Sequence, residues 1–253
     1  MSRKDPYLYD DVDVLKNKGN IKDASQLDKF EEAIIPGRAL ILRTQPFTIN
    51  SVFNIQQIHE YLFEPIFDWA GEFRKITMYK GEPILEGSSI DYTPADYIES
   101  EMNELDKEFS EVDWNKLDNE EKINKVAYFV AEVWHVHCFR EGNTRSISMF
   151  MYCLMKTIGL HVNTEFLSKH SKYFRTSLVL SSLYSRSKPE FLLGIIKDTT
   201  SIKTPNENKY KSIDGFDVER YNYSYHTIEK LKTIKSLQQL EKEEQNKYKK
   251  LCQ

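Results

Sequence analysis

Apolar residues along this chain recur mainly at three- and four-residue intervals, the spacing of one buried helix face, and only briefly in alternation. In "SQLDKFEEAII", Leu27, Phe30, Ala33 and Ile34 share a face behind the capping-type Ser25, which predicts a first helix ending near Gly37. Val52, Phe53, Ile55, Ile58 and Leu62 predict a second, from Asn50 to just before Pro65. The aromatic "IFDWAGEFR" then reads as a packed connection. Thr93-Pro94 is a cap and first-turn pair opening a helix with Tyr97, Ile98, Met102, Leu105 and Phe109 on its apolar side. From about Asn119, Ile123, Val126, Val130, Val133 and Trp134 mark another helix, and Ile147, Phe150, Met151, Leu154, Met155 and Ile158 the next. Further helices are expected over about Thr164 to Leu183 and Pro189 to Lys197.

One stretch breaks the helical period. In "RKITMYKGEPILEG", Ile76 and Met78 on one side and Ile84 on the other flank Lys80-Gly81-Glu82-Pro83, which predicts a small β-hairpin at about 73–87. The expected architecture is therefore all-α with one hairpin, in a single domain over residues 1–200. Residues 201–217 are polar and turn-rich and read as a linker. Residues 218–253 form a tail in which Ile228, Leu231, Ile234, Leu237 and Leu240 lie among lysines and glutamates, as in a solvated amphipathic helix.

Composition narrows the class. The 253 residues are 40% hydrophobic and 13% aromatic, enough for a sizeable core, and the net charge of -4 gives no general attraction to nucleic acid. The three cysteines lack repeated spacing, so neither a disulfide framework nor a metal knuckle is expected. No segment has the apolar core of a signal peptide or membrane span, so a cytoplasmic protein is expected, with delivery by a non-classical route left open.

The chemistry concentrates in "HVHCFREGNTR", residues 135–145, between two predicted helices. A metal site is disfavoured, because His135 and His137 point to different sides of a helix and no second ligand cluster follows. A thiol nucleophile at Cys138 is disfavoured too, since adjacent helical residues do not face one another. An anion site accounts for more residues at once. Gly142, Asn143 and Thr144 open a helix whose first N–H groups have no intrahelical acceptors, and Arg145 adds a guanidinium suited to phosphate. Glu141 is a hard oxygen ligand for a magnesium ion, and His137 is the nearby group able to accept a proton near neutral pH. Phe139 reads as an anchor in the core, and His135 as a packed histidine.

"HCFREGNTR" resembles the signature of the Fic family: His-Pro-Phe, any residue, Asp or Glu, Gly-Asn-Gly-Arg, two more residues and Arg. His137, Phe139, Glu141, Gly142, Asn143 and Arg145 match it, and "YLYDDVDVLKNKGNIKD", "QLDKFE" and "IHEYLFEPIFDWAGEFR" agree as well, so the likeness spans about residues 7–200. The resemblance implies a Fic-type helical domain that transfers AMP from ATP to a Ser, Thr or Tyr hydroxyl of a target protein, releasing pyrophosphate. It implies His137 as base, Glu141 as the Mg2+ ligand, Phe139 as structural anchor, and Gly142, Asn143, Thr144 and Arg145 as phosphate-binding residues. The hairpin would be the family's flap, with Lys75 and Ile76 near the nucleotide and Thr77, Met78, Tyr79 and Lys80 pairing with the target.

Three positions depart from the pattern: Cys138 replaces proline, Thr144 the second glycine, and Ser148 the final arginine. The last removes the family's grip on the outer phosphate, for which Arg140 or Arg175 are candidate replacements. It leaves open another nucleotide donor or orientation, or a degenerate module that acts by binding. The family's inhibitory pattern, Ser or Thr, three residues, Glu, then Gly or Asn, is not matched: Glu82 precedes Glu86-Gly87 at the required position, and Lys203 precedes Glu207-Asn208. No internal lock of that helical type is expected, which leaves room for a separate inhibitory protein.

Overall fold

Two consecutive helices lie at the centre of the core, and the rest of the fold follows from covering them. The structure is a computed structural model that describes residues 5–183, 186–201 and 206–220. Helix α4 (Asn119–Val136) and helix α5 (Asn143–Thr157) pack on each other and bury residues around most of their circumference, which requires neighbours on several sides. Helices α1 (Ala24–Thr44) and α2 (Asn54–Phe63) cover α5, while α3 (Ile98–Ser110), α7 (Ser171–Ser181) and α8 (Pro189–Thr199) cover α4. The short α6 (Thr164–Lys169) packs on α7 and α8. A two-stranded antiparallel sheet completes the described elements, β1 (Ser212–Ile213) with β2 (Phe216–Asp217), Ile213 opposite Phe216. No helix among the described residues is long and apolar enough to cross a membrane.

Helix α1 runs through Pro36 and Gly37 instead of ending there. Its far half is held by tertiary contacts: Leu42 is buried, the Arg38 guanidinium lies 4.3 Å from the Tyr61 ring centre, and the Tyr152 hydroxyl donates to the Arg43 carbonyl at 2.8 Å. Asp23, not Ser25, is its cap, accepting from Gln26 N–H at 2.9 Å. Helix α2 starts four residues later than the periodicity suggests, because Asp106 accepts from Ser51 Oγ at 2.6 Å and Val52 N–H at 2.9 Å and holds a turn there. The expected Thr164 to Leu183 helix divides at His170 into α6 and α7.

The segment at 73–87 is not a two-stranded hairpin. A single bridge joins Gly81 to Ser89 around a 3-10 turn, Pro83–Leu85. Pro83 has no N–H for a strand ladder, and Glu86 and Gly87 take positive φ values of 53° and 87°, so the chain turns before a second strand forms. The arm from Lys75 to Lys80 is tied to other segments: Lys75 N–H donates to the Tyr7 hydroxyl at 3.0 Å and Lys80 N–H to Ser89 Oγ at 2.9 Å. The stretch read as a linker is docked where described, with Tyr210 and Ile213 buried and Tyr210 against Phe166, His170 and Tyr173, and Val218 at the start of the tail is buried too. Residues 221–253, most of the tail, lie outside the described residues.

Helix α4 begins in a reciprocal cap: Asp118 Oδ1 accepts from Glu121 N–H and Glu121 Oε2 from Asp118 N–H, both at 2.9 Å. Replacing Asp118 by Ala is expected to cost about 1 kcal/mol. Urea unfolding should show a lower midpoint at unchanged slope.

Candidate active site

The predicted joint forms a tight loop between the two central helices. Helix α4 ends as His137 enters the left-handed region at φ 51°, and α5 begins after Gly142, at φ 83°. Arg74 holds the first bend. Its Nε donates to the His137 carbonyl at 2.8 Å, one Nη to Ile76 O at 2.6 Å, and the other to Thr93 O and, at 3.3 Å, to Val136 O. Its N–H donates to Cys138 O at 2.8 Å. Burial pulls the guanidinium down to about 10, so it remains charged at neutral pH.

Asn143 closes the second bend. Its Oδ1 accepts from Phe139 N–H at 2.9 Å and its Nδ2 donates to Phe139 O at 2.7 Å, so the side chain expected to hold phosphate is committed to the loop. Phe139 is fully buried and stacks on His59 with ring centres 3.8 Å apart. His59 accepts from Gly71 N–H at Nδ1 (2.8 Å) and donates from Nε2 to the Glu141 carbonyl (3.0 Å). Burial, opposed by that hydrogen bond, drops its pKa from 6.5 to about 3, so the ring is neutral and serves as a brace.

His137 is buried, stacked on Tyr92 at 3.9 Å, with Nδ1 3.2 Å from the Trp134 carbonyl. A carbonyl only accepts, so Nδ1 carries the proton and Nε2 keeps its lone pair. Burial first, then the positive charges of Lys80, Arg74 and Arg175, hold its pKa well below 6.5. The ring is a neutral imidazole with one accepting nitrogen, the form a general base requires.

Beyond it, α5 starts without a side-chain cap. Ser146 N–H is the first to bond back, to Gly142 O at 2.9 Å, and Gly142 N–H is taken by Glu141 Oε1 at 2.9 Å. The N-terminus of a fifteen-residue helix therefore presents main-chain donors and its dipole beside the histidine. Arg145 pairs with buried Glu31 of α1, approaches Glu141 at 3.5 Å and lies over the Phe63 ring at 4.6 Å. The Thr144 hydroxyl accepts from Trp134 Nε1 at 3.1 Å and from Arg175 at 3.0 Å. Glu141 is a single hard carboxylate, and no group of three metal-binding side chains occurs among the described residues. Such a site suits magnesium, which keeps waters and takes phosphate oxygens as further ligands.

Among flap residues, Met78 is buried, Ile76 is half-buried, Thr77 is exposed and Tyr79 half-buried. Lys75 is exposed, its ammonium paired with Glu72 at 3.0 Å, away from the loop. Lys80 reaches the loop electrostatically: enclosure lowers its pKa against the raising effect of Glu141. Cys138 is buried, which pushes its thiol up to about 12 and removes it as a nucleophile at neutral pH. Arg140 is turned away from the helix end and pairs with Asp5 at 2.8 Å. Arg74, His59, Glu31, Tyr92 and Glu82 were not singled out by sequence reasoning. Arg74 alone had a local signal, as the cation closing the aromatic "WAGEFR" just before the flap.

A model of the Fic/DOC family matches residues 51–155. A probable protein adenylyltransferase of Sinorhizobium fredii is 31% identical over 162 residues, 63% of this chain and 80% of that protein. A probable protein adenylyltransferase of Escherichia coli is 25% identical over 169 residues, covering 66% of this chain and 80% of the relative. The crystal structure of the BepC protein of Bartonella tribocorum, with bound AMPPNP, superposes with a TM-score of 0.67 at 25% identity, over 79% of this chain and 99% of that one.

Two outcomes follow from the loop's packing. A Cβ at Gly142 would lie 2.4 Å from Phe63 Cζ on a positive-φ backbone, so Gly142→Ala should cost more than about 2 kcal/mol in an unfolding titration. For His59, the unfolded chain binds the proton at 6.5 and the folded chain only near 3, so this group withdraws stability as pH falls through that interval. An NMR titration should find the His59 ring neutral below pH 6.5, down toward 3; titration at its ordinary value would contradict the packing described.

Proposed function

The chain belongs to the Fic/DOC family, and we propose that it is a protein adenylyltransferase that moves AMP from ATP to a hydroxyl side chain of a target protein. The observation that carries this reading is the neutral His137 ring, its Nδ1 committed to Trp134 O, at the uncapped start of α5. The target's Ser, Thr or Tyr O–H gives its proton to His137 Nε2 as its oxygen bonds to the α-phosphorus. The bond from that phosphorus to the bridging oxygen breaks, and pyrophosphate leaves.

The phosphates lie against the main-chain donors of Asn143 and Thr144 at the helix N-terminus. Glu141 would hold a magnesium ion, which would supply positive charge to the phosphates. Arg145 adds positive charge in an orientation set by Glu31. Asn143 contributes by shaping the loop through its side chain. The arm from Thr77 to Lys80, which pairs in no sheet among the described residues, receives an extended target segment by main-chain pairing.

Purified protein is incubated with magnesium and ATP labelled at the α-phosphate, reading label on itself or on proteins of a cell lysate. His137→Ala should reduce transfer at least about 100-fold while thermal unfolding still shows a folded protein. Because His137 is held well below its ordinary pKa, wild-type activity should show no loss attributable to its protonation as pH falls through 6.5. Label appearing on protein only when ATP is instead labelled at the γ-phosphate, or transfer surviving in His137→Ala, would sink the proposal. A panel of nucleotides read by mass spectrometry identifies AMP, UMP or phosphate as the added group.

A further inference from the structure

Ser148 leaves the second turn of α5 without the cation that the motif pattern calls for, yet a guanidinium from elsewhere in the fold lies beside this helix. Arg175, on α7, donates from one Nη to Thr144 Oγ1 at 3.0 Å and from the other to Glu82 Oε1 at 2.7 Å. Glu82 belongs to the flap segment and is fully buried. Its Oε1 also accepts from the Tyr92 hydroxyl at 3.3 Å, while its Oε2 has no hydrogen-bond partner. A buried carboxylate with one oxygen unsatisfied is a costly arrangement, stable only while the cation beside it has no better anion.

We propose that Arg175 is the second phosphate-binding arginine of this site, and that Glu82 occupies its place until nucleotide displaces the carboxylate. The inference rests on the nucleotide-binding half of the proposed function but not on group transfer. Three features make Glu82 the displaceable partner. It is carried on a short 3-10 turn outside any regular helix, whose main-chain bonds, Glu82 N–H to Ser88 O at 2.9 Å among them, close within the turn itself. Arg175, in contrast, comes from the middle of a regular helix and is braced by Thr144. The Lys80 ammonium lies within electrostatic reach of both Glu82 and Arg175, so an entering polyphosphate meets two cations and repels one carboxylate. Arg175 thereby reads the charge beyond the α-phosphate, which distinguishes a triphosphate from a monophosphate.

The test measures ATP and AMP binding to the full chain by calorimetry with magnesium, alongside thermal unfolding. Arg175→Ala should weaken ATP binding about tenfold or more and leave AMP binding within about twofold. Glu82→Gln removes the competing charge at constant size and should tighten ATP binding severalfold. In the double variant that gain should vanish, since it acts through Arg175. Arg175→Lys, which keeps charge but cannot span both partners, should fall between wild type and Arg175→Ala, and it decides the matter if Arg175→Ala fails to fold. Equal loss of ATP and AMP binding, an unchanged ATP affinity in Glu82→Gln, or a gain that persists in the double variant would overturn the proposal. Binding that follows this pattern without any transfer activity would preserve it and refute the proposed function.

Discussion

The end of α4 points its last carbonyls into the protein, and helix ends buried in this way need donors from outside the helix. Arg74 supplies them. One guanidinium collects Val136 O and His137 O from the helix end, Ile76 O from the start of the flap and Thr93 O from the segment after it. The left-handed turn at His137 is possible because those carbonyls are satisfied there, and a cation at the negative end of the helix dipole is favourable in its own right. The same charge is among those that keep the His137 ring neutral. Arg74 thus contributes to both the shape of the turn and the neutral state of His137, with burial and Lys80 weighing more heavily in the latter.

Behind the loop, a run of rings makes the geometry stiff. Phe139 stacks on His59, His59 on Phe63 at 4.6 Å, and Phe63 leaves no room for a Cβ at Gly142 while its own face receives Arg145. His59 joins this layer and also satisfies Gly71 N–H and Glu141 O, so it packs as an aromatic and bonds as an amide would. The result places a proton acceptor, His137, at the C-terminus of one helix and main-chain donors, from Asn143 onward, at the N-terminus of the next, in a loop whose geometry the fold itself fixes.

Helix faces were readable wherever burial follows local period, as for Ile98, Met102, Leu105 and Phe109 or for the apolar rows of α4 and α5. The passage of α1 through Pro36 and Gly37 was not, because the residues that sustain it, Tyr61 and Tyr152, are distant in sequence. In the flap, Ile76, Met78 and Ile84 suggested paired arms, but a proline and two positive-φ residues convert one arm into a 3-10 turn. At the site, the contiguous motif was readable as one unit. Its partners were not: Arg74 lies 63 residues from His137, Glu31 114 from Arg145, and Glu82 93 from Arg175, and a polar contact across such distances has no local signature.

Charge around the loop explains why those distant partners exist. Arg74, Lys80, Arg145 and Arg175 surround a region too enclosed for water to screen them, and their mutual repulsion would open it without Glu31, Glu82 and Glu141. The three carboxylates differ in how they are carried. Glu31 sits on a 21-residue helix and holds Arg145 against α1, so it balances charge permanently. Glu141 belongs to the loop braced by Asn143 and His59, so its carboxylate is fixed in place beside Arg145. Glu82 is carried by a short turn, and a polyphosphate entering the same field replaces its charge several times over. The fold therefore carries Arg145 and Arg175 on helices and Glu82 on a short turn, so the field that these charges balance is one that favours a highly charged anionic ligand.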